Sequence, residues 1–221
     1  MLPKQDNLPL ARRMAVEGLR KSNPAERAAR GGGWFEPGAD GRSRIGVRYL
    51  GREFWLSLPG GTMETPDGGG PLSLREEILI LHYLEKASGI PLTGNWISFA
   101  EIPGGAFYHP VFLQRCKATL VKYFGGEPRR LLALAEEEAA GEHLALGDVG
   151  VKIQAFPRVP IGLVLWRGDE EFTPEGNVLF DASITGYLPV EDIVILAETV
   201  VWKLIKRKNT NSPQRTPKTE K

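Results

Sequence analysis

Six carboxylates, Asp169, Glu170, Glu171, Asp181, Glu191 and Asp192, fall within 24 positions of the 221-residue chain. Two or three of them brought together could hold a hard cation such as magnesium, which takes oxygen ligands. Close carboxylates could instead raise one another's pKa and form a general acid–base pair. Each also has a plainer use. Asp169 to Glu171 read as a solvated turn, and Glu191-Asp192 as first-turn acids that complement a helix dipole. Asp181 follows the apolar Val178-Leu179-Phe180, which places it at a strand end.

Arg158 and Trp166 flank this group. Arg158 lies between Phe156-Pro157 and Val159-Pro160, and an ion pair with Asp181 or Asp169 is expected before anion recognition. Trp166 ends an apolar run and either caps a ligand pocket or joins the core with its indole nitrogen satisfied. Of three histidines, His109, after Gly104-Gly105 and between Tyr108 and Pro110, is the candidate base or corrinoid or haem axial ligand, against an ordinary loop histidine. Cys116 is seven residues further on, a spacing that does not by itself build a Cys–His dyad. His82 reads as a helix residue packed or half-exposed, and His143 as a loop residue. No glycine cluster fits a phosphate loop: Gly68-Gly69-Gly70-Pro71 lacks the lysine and the preceding strand.

The elements that must position these residues are visible in the pattern. Asn7-Leu8-Pro9 opens a helix to about Arg20, and Asn23-Pro24 caps a second that stops at Gly31-Gly32-Gly33. Ile45, Val47 and Tyr49, then Phe54, Leu56 and Leu58, alternate on either side of Gly51-Arg52 and predict a β-hairpin. The glycine-rich Pro59 to Pro71 reads as a loop. Ser73-Leu74-Arg75-Glu76 is a capping box for a helix to about Ala87, stopped by Gly89. Further helices are expected around Val111 to Phe124 and Pro128 to Ala140. Val149 to Phe156, the continuous apolar Val159 to Trp166, and Asn177 to Phe180 read as strands. A long helix should begin near Leu188-Pro189 and run to about Lys206.

This predicts a single-domain α+β fold, an antiparallel-dominated sheet packed with several helices and a long C-terminal helix. The expected divisions are an N-terminal helical extension over 1–40, the α+β domain over 41–207, and a disordered basic tail over 208–221.

Composition narrows the function classes. Hydrophobic residues at 42% and charged residues at 25% are ordinary for a globular chain. One cysteine excludes an internal disulfide framework, a cysteine-rich zinc site and a self-contained iron–sulfur cluster. Twenty-eight basic residues against 27 acidic hide an uneven distribution. Residues 1–135 carry 18 basic and 13 acidic groups, residues 136–192 carry 3 and 12, and residues 206–221 carry 6 and 1. No basic footprint for nucleic acid stands out, and the tail's cations have no aromatic residue among them for base stacking. The opening MLPKQDNLPLARRMAV breaks its apolar residues with Lys4, Asp6, Asn7 and Arg12, predicting no signal peptide. A soluble, cytoplasmic protein is expected.

Two stretches, Glu76 to Gly105 and Phe156 to Ile193, resemble the uncharacterised family known as domain of unknown function 3786, over about residues 40–205. Phe156-Pro157-Arg158-Val159-Pro160, Trp166, Gly168-Asp169-Glu170-Glu171-Phe172, Phe180-Asp181 and Leu188-Pro189 with Glu191-Asp192 carry the resemblance. Thr173 stands where many relatives have proline. The family is found largely in anaerobes and has no settled activity. Some relatives carry a cysteine-rich module like that of corrinoid iron–sulfur proteins, from which this chain departs with its single Cys116. A dense motif with no recognised nucleophile, phosphate loop or metal-ligand spacing points to a non-catalytic binding or accessory domain with a protein partner, and the resemblance adds that this partner would come from corrinoid or iron–sulfur metabolism. The domain's binding surface would run from Trp166 to Asp192. The competing expectation is an enzyme using the carboxylates, with a divalent metal and His109 as base. No cofactor or oligomeric state follows from the residues.

Overall fold

A computed structural model describes residues 7–139 and 141–210. The expected α+β fold is present, with its strands divided between two antiparallel sheets.

Helix α1 (Leu8–Lys21) buries Ala15, Val16 and Leu19, and the short α2 (Pro24–Arg30) is capped by the Asn23 side chain, which accepts from the Ala25 and Glu26 amides. The first sheet has the order β1 (Trp34–Pro37), β2 (Ser43–Tyr49), β3 (Arg52–Leu58), β4 (Thr62–Glu64). In it Ile45 pairs with Leu56 and Val47 with Phe54, so the apolar alternation faces inward on both strands.

Three details differ from the sequence pattern. The hairpin turn is Leu50-Gly51, not Gly51-Arg52, with φ of 47° and 79° at the two positions. A two-residue turn of this hand needs both residues left-handed. Leu50 adopts that conformation with its amide bonded to the Ala155 carbonyl of the second sheet and its side chain buried. β1 is a strand in a stretch that reads as helical. Gly33 permits it, because a Cβ there would lie 2.2 Å from the Gly46 carbonyl oxygen. β4 falls inside the expected loop, where the turn closed by Gly61 N–H to Ser57 O returns Thr62 to Glu64 alongside β3.

Helix α3 (Leu74–Lys86) carries the complete capping box: Ser73 Oγ accepts from the Glu76 amide while Glu76 accepts from the Ser73 amide. After β5 (Trp96–Ser98), α4 (His109–Phe112) continues through a π-helical turn, Leu113–Lys117, into α5 (Ala118–Phe124), and α6 (Pro128–Ala139) follows. The second sheet has the order β5, β9 (Glu175–Asp181), β8 (Val159–Trp166), β7 (Val149–Phe156), β6 (Glu142–His143). β8 is buried from Val159 to Leu165, which is why its sequence is continuously apolar rather than alternating.

Helix α7 (Val190–Thr210) closes the fold. One apolar core runs from Ala15 in α1 to Ile205 in α7 and takes in both sheets. Residues 208–210 of the expected tail end α7, and 211–221 lie outside the described residues. No described helix is long and apolar enough to cross a membrane.

Candidate functional site

Strand β9 decides where the carboxylates go. Glu175 pairs with Trp166 at one end of it and Asp181 with Trp96 at the other. At 3.3–3.4 Å per residue the two ends are roughly 20 Å apart. Asp169, in the β8–β9 hairpin, and Asp181 therefore do not share a site.

Asp181 is 4% exposed and accepts five hydrogen bonds. Oδ1 receives the Thr93 amide and hydroxyl at 3.0 Å each, the Ser183 amide at 2.9 Å and the Ser183 hydroxyl at 2.6 Å. Oδ2 receives the Gly94 amide at 2.7 Å. Burial raises its pKa, but the donors from Ser183, Thr93 and Gly94 outweigh that and hold it down at about 2. All this ties the loop before β5 to the end of β9. The role is structural.

Asp192, also buried, lies in the first turn of α7 with Oδ2 2.6 Å from His82 Nδ1 on α3. That bond raises the His82 pKa above 6.5, against desolvation, with Glu85 adding and Lys86 opposing. A ring held at Nδ1 by a carboxylate leaves Nε2 as the atom that can exchange a proton with solvent. Neighbouring Glu191 is exposed and accepts from the Tyr108 hydroxyl. The two adjacent acids thus serve different partners.

The hairpin acids are exposed. Asp169 Oδ1 accepts from the Glu171 amide at 2.9 Å and the Phe172 amide at 2.8 Å, which sets the turn and lowers its pKa. Glu170 and Glu171 project beside it, and Phe172 is 69% exposed. Between this hairpin and the Gly125–Arg130 junction of α5 and α6 lies an open cleft of about 840 Å³, which Arg129, Arg130 and Arg167 also line. Trp166, 44% exposed, stands at the hairpin's base rather than in the core.

The expected ion pair of Arg158 with Asp181 or Asp169 is not among the described contacts. Instead its amide donates to the Tyr83 hydroxyl at 3.2 Å. His109 stacks on Phe99, with ring centres 6.4 Å apart and planes 8° from parallel. Cys116 is buried and directs its thiol to the Val194 carbonyl, and burial pushes its pKa up. Among the described residues no three His, Cys, Asp or Glu side chains converge in a way that could hold a metal ion.

The six acids and their neighbours therefore separate into a buried loop anchor, a helix–helix bridge, an exposed acid bonded to Tyr108 and an exposed hairpin. The sequence pattern missed His82, Tyr108 and the Thr93-Gly94 donors, which lie 110, 83, 88 and 87 residues from their acids. Asp181-Ala182-Ser183 and Asp169-Glu170-Glu171 carried a local sign, since aspartate often accepts from the backbone two residues on. The Phe156 to Ile193 stretch supplies most of these positions, and the profile of the family described as Domain of unknown function (DUF3786) matches residues 23–203.

The chain belongs to the DUF3786 family. The DUF3786 match takes in α2 and β1, and it includes every carboxylate described above. No curated protein and no solved structure is matched by the chain.

Proposed function

We propose that this DUF3786 protein is a non-catalytic binding or accessory domain whose β8–β9 hairpin docks a protein partner. The observation that carries the reading is Phe172 standing 69% exposed, with Trp166 at 44%, on a hairpin over an open cleft. Large exposed aromatics beside a cleft are common anchors of protein interfaces. Asp169, Glu170 and Glu171 lie beside Phe172 and Arg167 follows Trp166, so the aromatics have a rim of mixed charge, which favours a partner segment that is apolar at its centre and polar at its edges. The family resemblance directs the search to corrinoid and iron–sulfur proteins. The competing reading, an enzyme built on the carboxylates, needs them gathered in one place, and they are spread among several elements.

The test is affinity capture from native lysate with the wild-type chain and with Phe172→Ser, followed by titration of the captured protein after purification. The expected result is a partner whose affinity falls about tenfold or more in Phe172→Ser. Equal affinity for both chains, in Phe172→Ser and in Trp166→Ala alike, overturns the reading.

A further inference from the structure

The first sheet turns one face to the core and the other outward. Ile45, Val47 and Tyr49 of β2 point inward and are buried, so Arg44, Gly46 and Arg48 point outward. The register sets Trp34, Gly46, Trp55 and Glu64 side by side across all four strands on that outer face. A solvated sheet face ordinarily carries polar side chains. Here two indoles lie over the strand between them, with ring centres 6.5 Å apart and planes 27° from parallel. Gly46 makes this possible, since a Cβ there would lie 3.0 Å from both rings.

The two tryptophans differ in what they leave open. Trp55 is 9% exposed, and its indole nitrogen donates to Glu53 at 2.6 Å. Trp34 is 41% exposed, and its indole nitrogen has no partner among the described residues. The Arg44 guanidinium lies 4.6 Å from the Trp55 ring centre and pairs with Glu36 at 3.4 Å. Arg48 lies 5.6 Å from the Trp34 ring centre, and neither it nor Glu64 forms an ion pair among the described residues.

Area and charge narrow the occupant. With strands about 4.8 Å apart and the longest of them 7 residues, the face covers roughly 350 Å², well under the ~800 Å² per partner of a stable dimer. Arg44 and Arg48 stand among Glu36, Glu53 and Glu64, so no cationic excess draws a polyanion. A neutral ligand remains, apolar on one flat side and hydroxylated at its edges. We propose that the outer face of the first sheet binds a neutral oligosaccharide. The C–H bonds on one side of a sugar ring would rest on the negative face of Trp34. Sugar hydroxyls both donate and accept, and the face offers both kinds of partner: Arg48 as donor, Glu53 opposite it and Glu64 as acceptors. The hairpin belongs to the other sheet, so each proposal can fail without the other.

Calorimetric titration of the full-length protein with cellohexaose, maltohexaose and chitohexaose tests it, alongside tryptophan fluorescence. Saturable binding of at least one is expected, with altered indole emission and an affinity indifferent to salt, because the ligand carries no charge. Trp34→Ala should abolish it. Arg48→Ala, an exposed substitution that leaves both indoles, should lower affinity about fivefold at an unchanged melting temperature. Absence of saturable binding by all three sugars overturns the proposal, as does binding unaltered in both variants. Two other occupants would overturn it as well: oligothymidylate bound more tightly than any sugar, or a dimer in sedimentation that Trp34→Ala dissolves.

Discussion

The far end of β9 and the hairpin that leads into it carry the same chemical group in opposite settings. At the far end Asp181 is buried and accepts five hydrogen bonds from protein donors; in the hairpin Asp169 accepts two backbone amides in full solvent. A carboxylate taken out of water must be compensated completely, and Asp181 is, by a loop and by its own strand's continuation. A carboxylate left in water needs no such investment and is available to meet something else. Burial thus separates the acid that builds the fold from the acids that face outward.

The sharpest way to break that contrast is Asp181→Ala. It leaves the Thr93, Gly94 and Ser183 donors without their acceptor, and a loss of about 3 kcal/mol is expected. For a chain of this length that is about 10 °C in melting temperature, readable by calorimetry. Asp181→Asn keeps the shape and should lose about 2 kcal/mol. The same residue predicts an acid limb. Its folded pKa of about 2 lies below the ordinary 3.8, so its contribution is present above that value and lost as pH falls towards 2. Denaturant titrations across this range should show a steeper fall for wild type than for Asp181→Asn. Parallel curves would mean that Asp181 is not the compensated group described here.

The Asp192–His82 bridge stands between the extremes, with one buried partner and one half-buried. Because the His82 pKa is raised above 6.5, the pair stabilises the protein fully below that pH and loses its contribution as pH rises through the raised value. His82→Gln should cost about 1 kcal/mol in mildly acidic solution and less in alkaline solution, measured by urea unfolding at both. A cost that grows with pH would reverse the assignment.

How far these roles could be read from the sequence follows the range of the interaction. The Ser73–Glu76 capping box and the Asn23 cap span three residues or fewer and were legible, as was the alternation of β2 and β3. β1 and β4, four and three residues long, are too short for alternation to register, and pairing with a neighbour makes them strands. The site was legible only as a region. That Asp181 anchors a loop depends on Thr93, and that Asp192 bridges two helices depends on His82, contacts that only the folded chain creates. Six acids close in sequence point to one site, but β9 sets Asp181 at the far end of the strand from the hairpin that carries Asp169.

The smallest effects on stability belong to the outward end, and they separate two explanations of the exposed hairpin. If Phe172 and Trp166 hold the hairpin in place, removing either should destabilise the protein by more than 1 kcal/mol, as loss of packed aromatic surface does. Their exposure argues otherwise, and Asp169 already sets the turn through the Glu171 and Phe172 amides. Phe172→Ser and Trp166→Ala should each change unfolding free energy by no more than about 0.5 kcal/mol. Asp169→Ala should cost about 1 kcal/mol, because the turn loses its acceptor. The ordering Asp169→Ala above Phe172→Ser, with partner affinity ranked the other way, is the signature of a turn built by one residue to present another. Denaturation of the three variants beside wild type measures the first ranking, and titration with the captured partner measures the second. If both rankings coincide, the hairpin's aromatics act through the fold and the docking surface lies elsewhere.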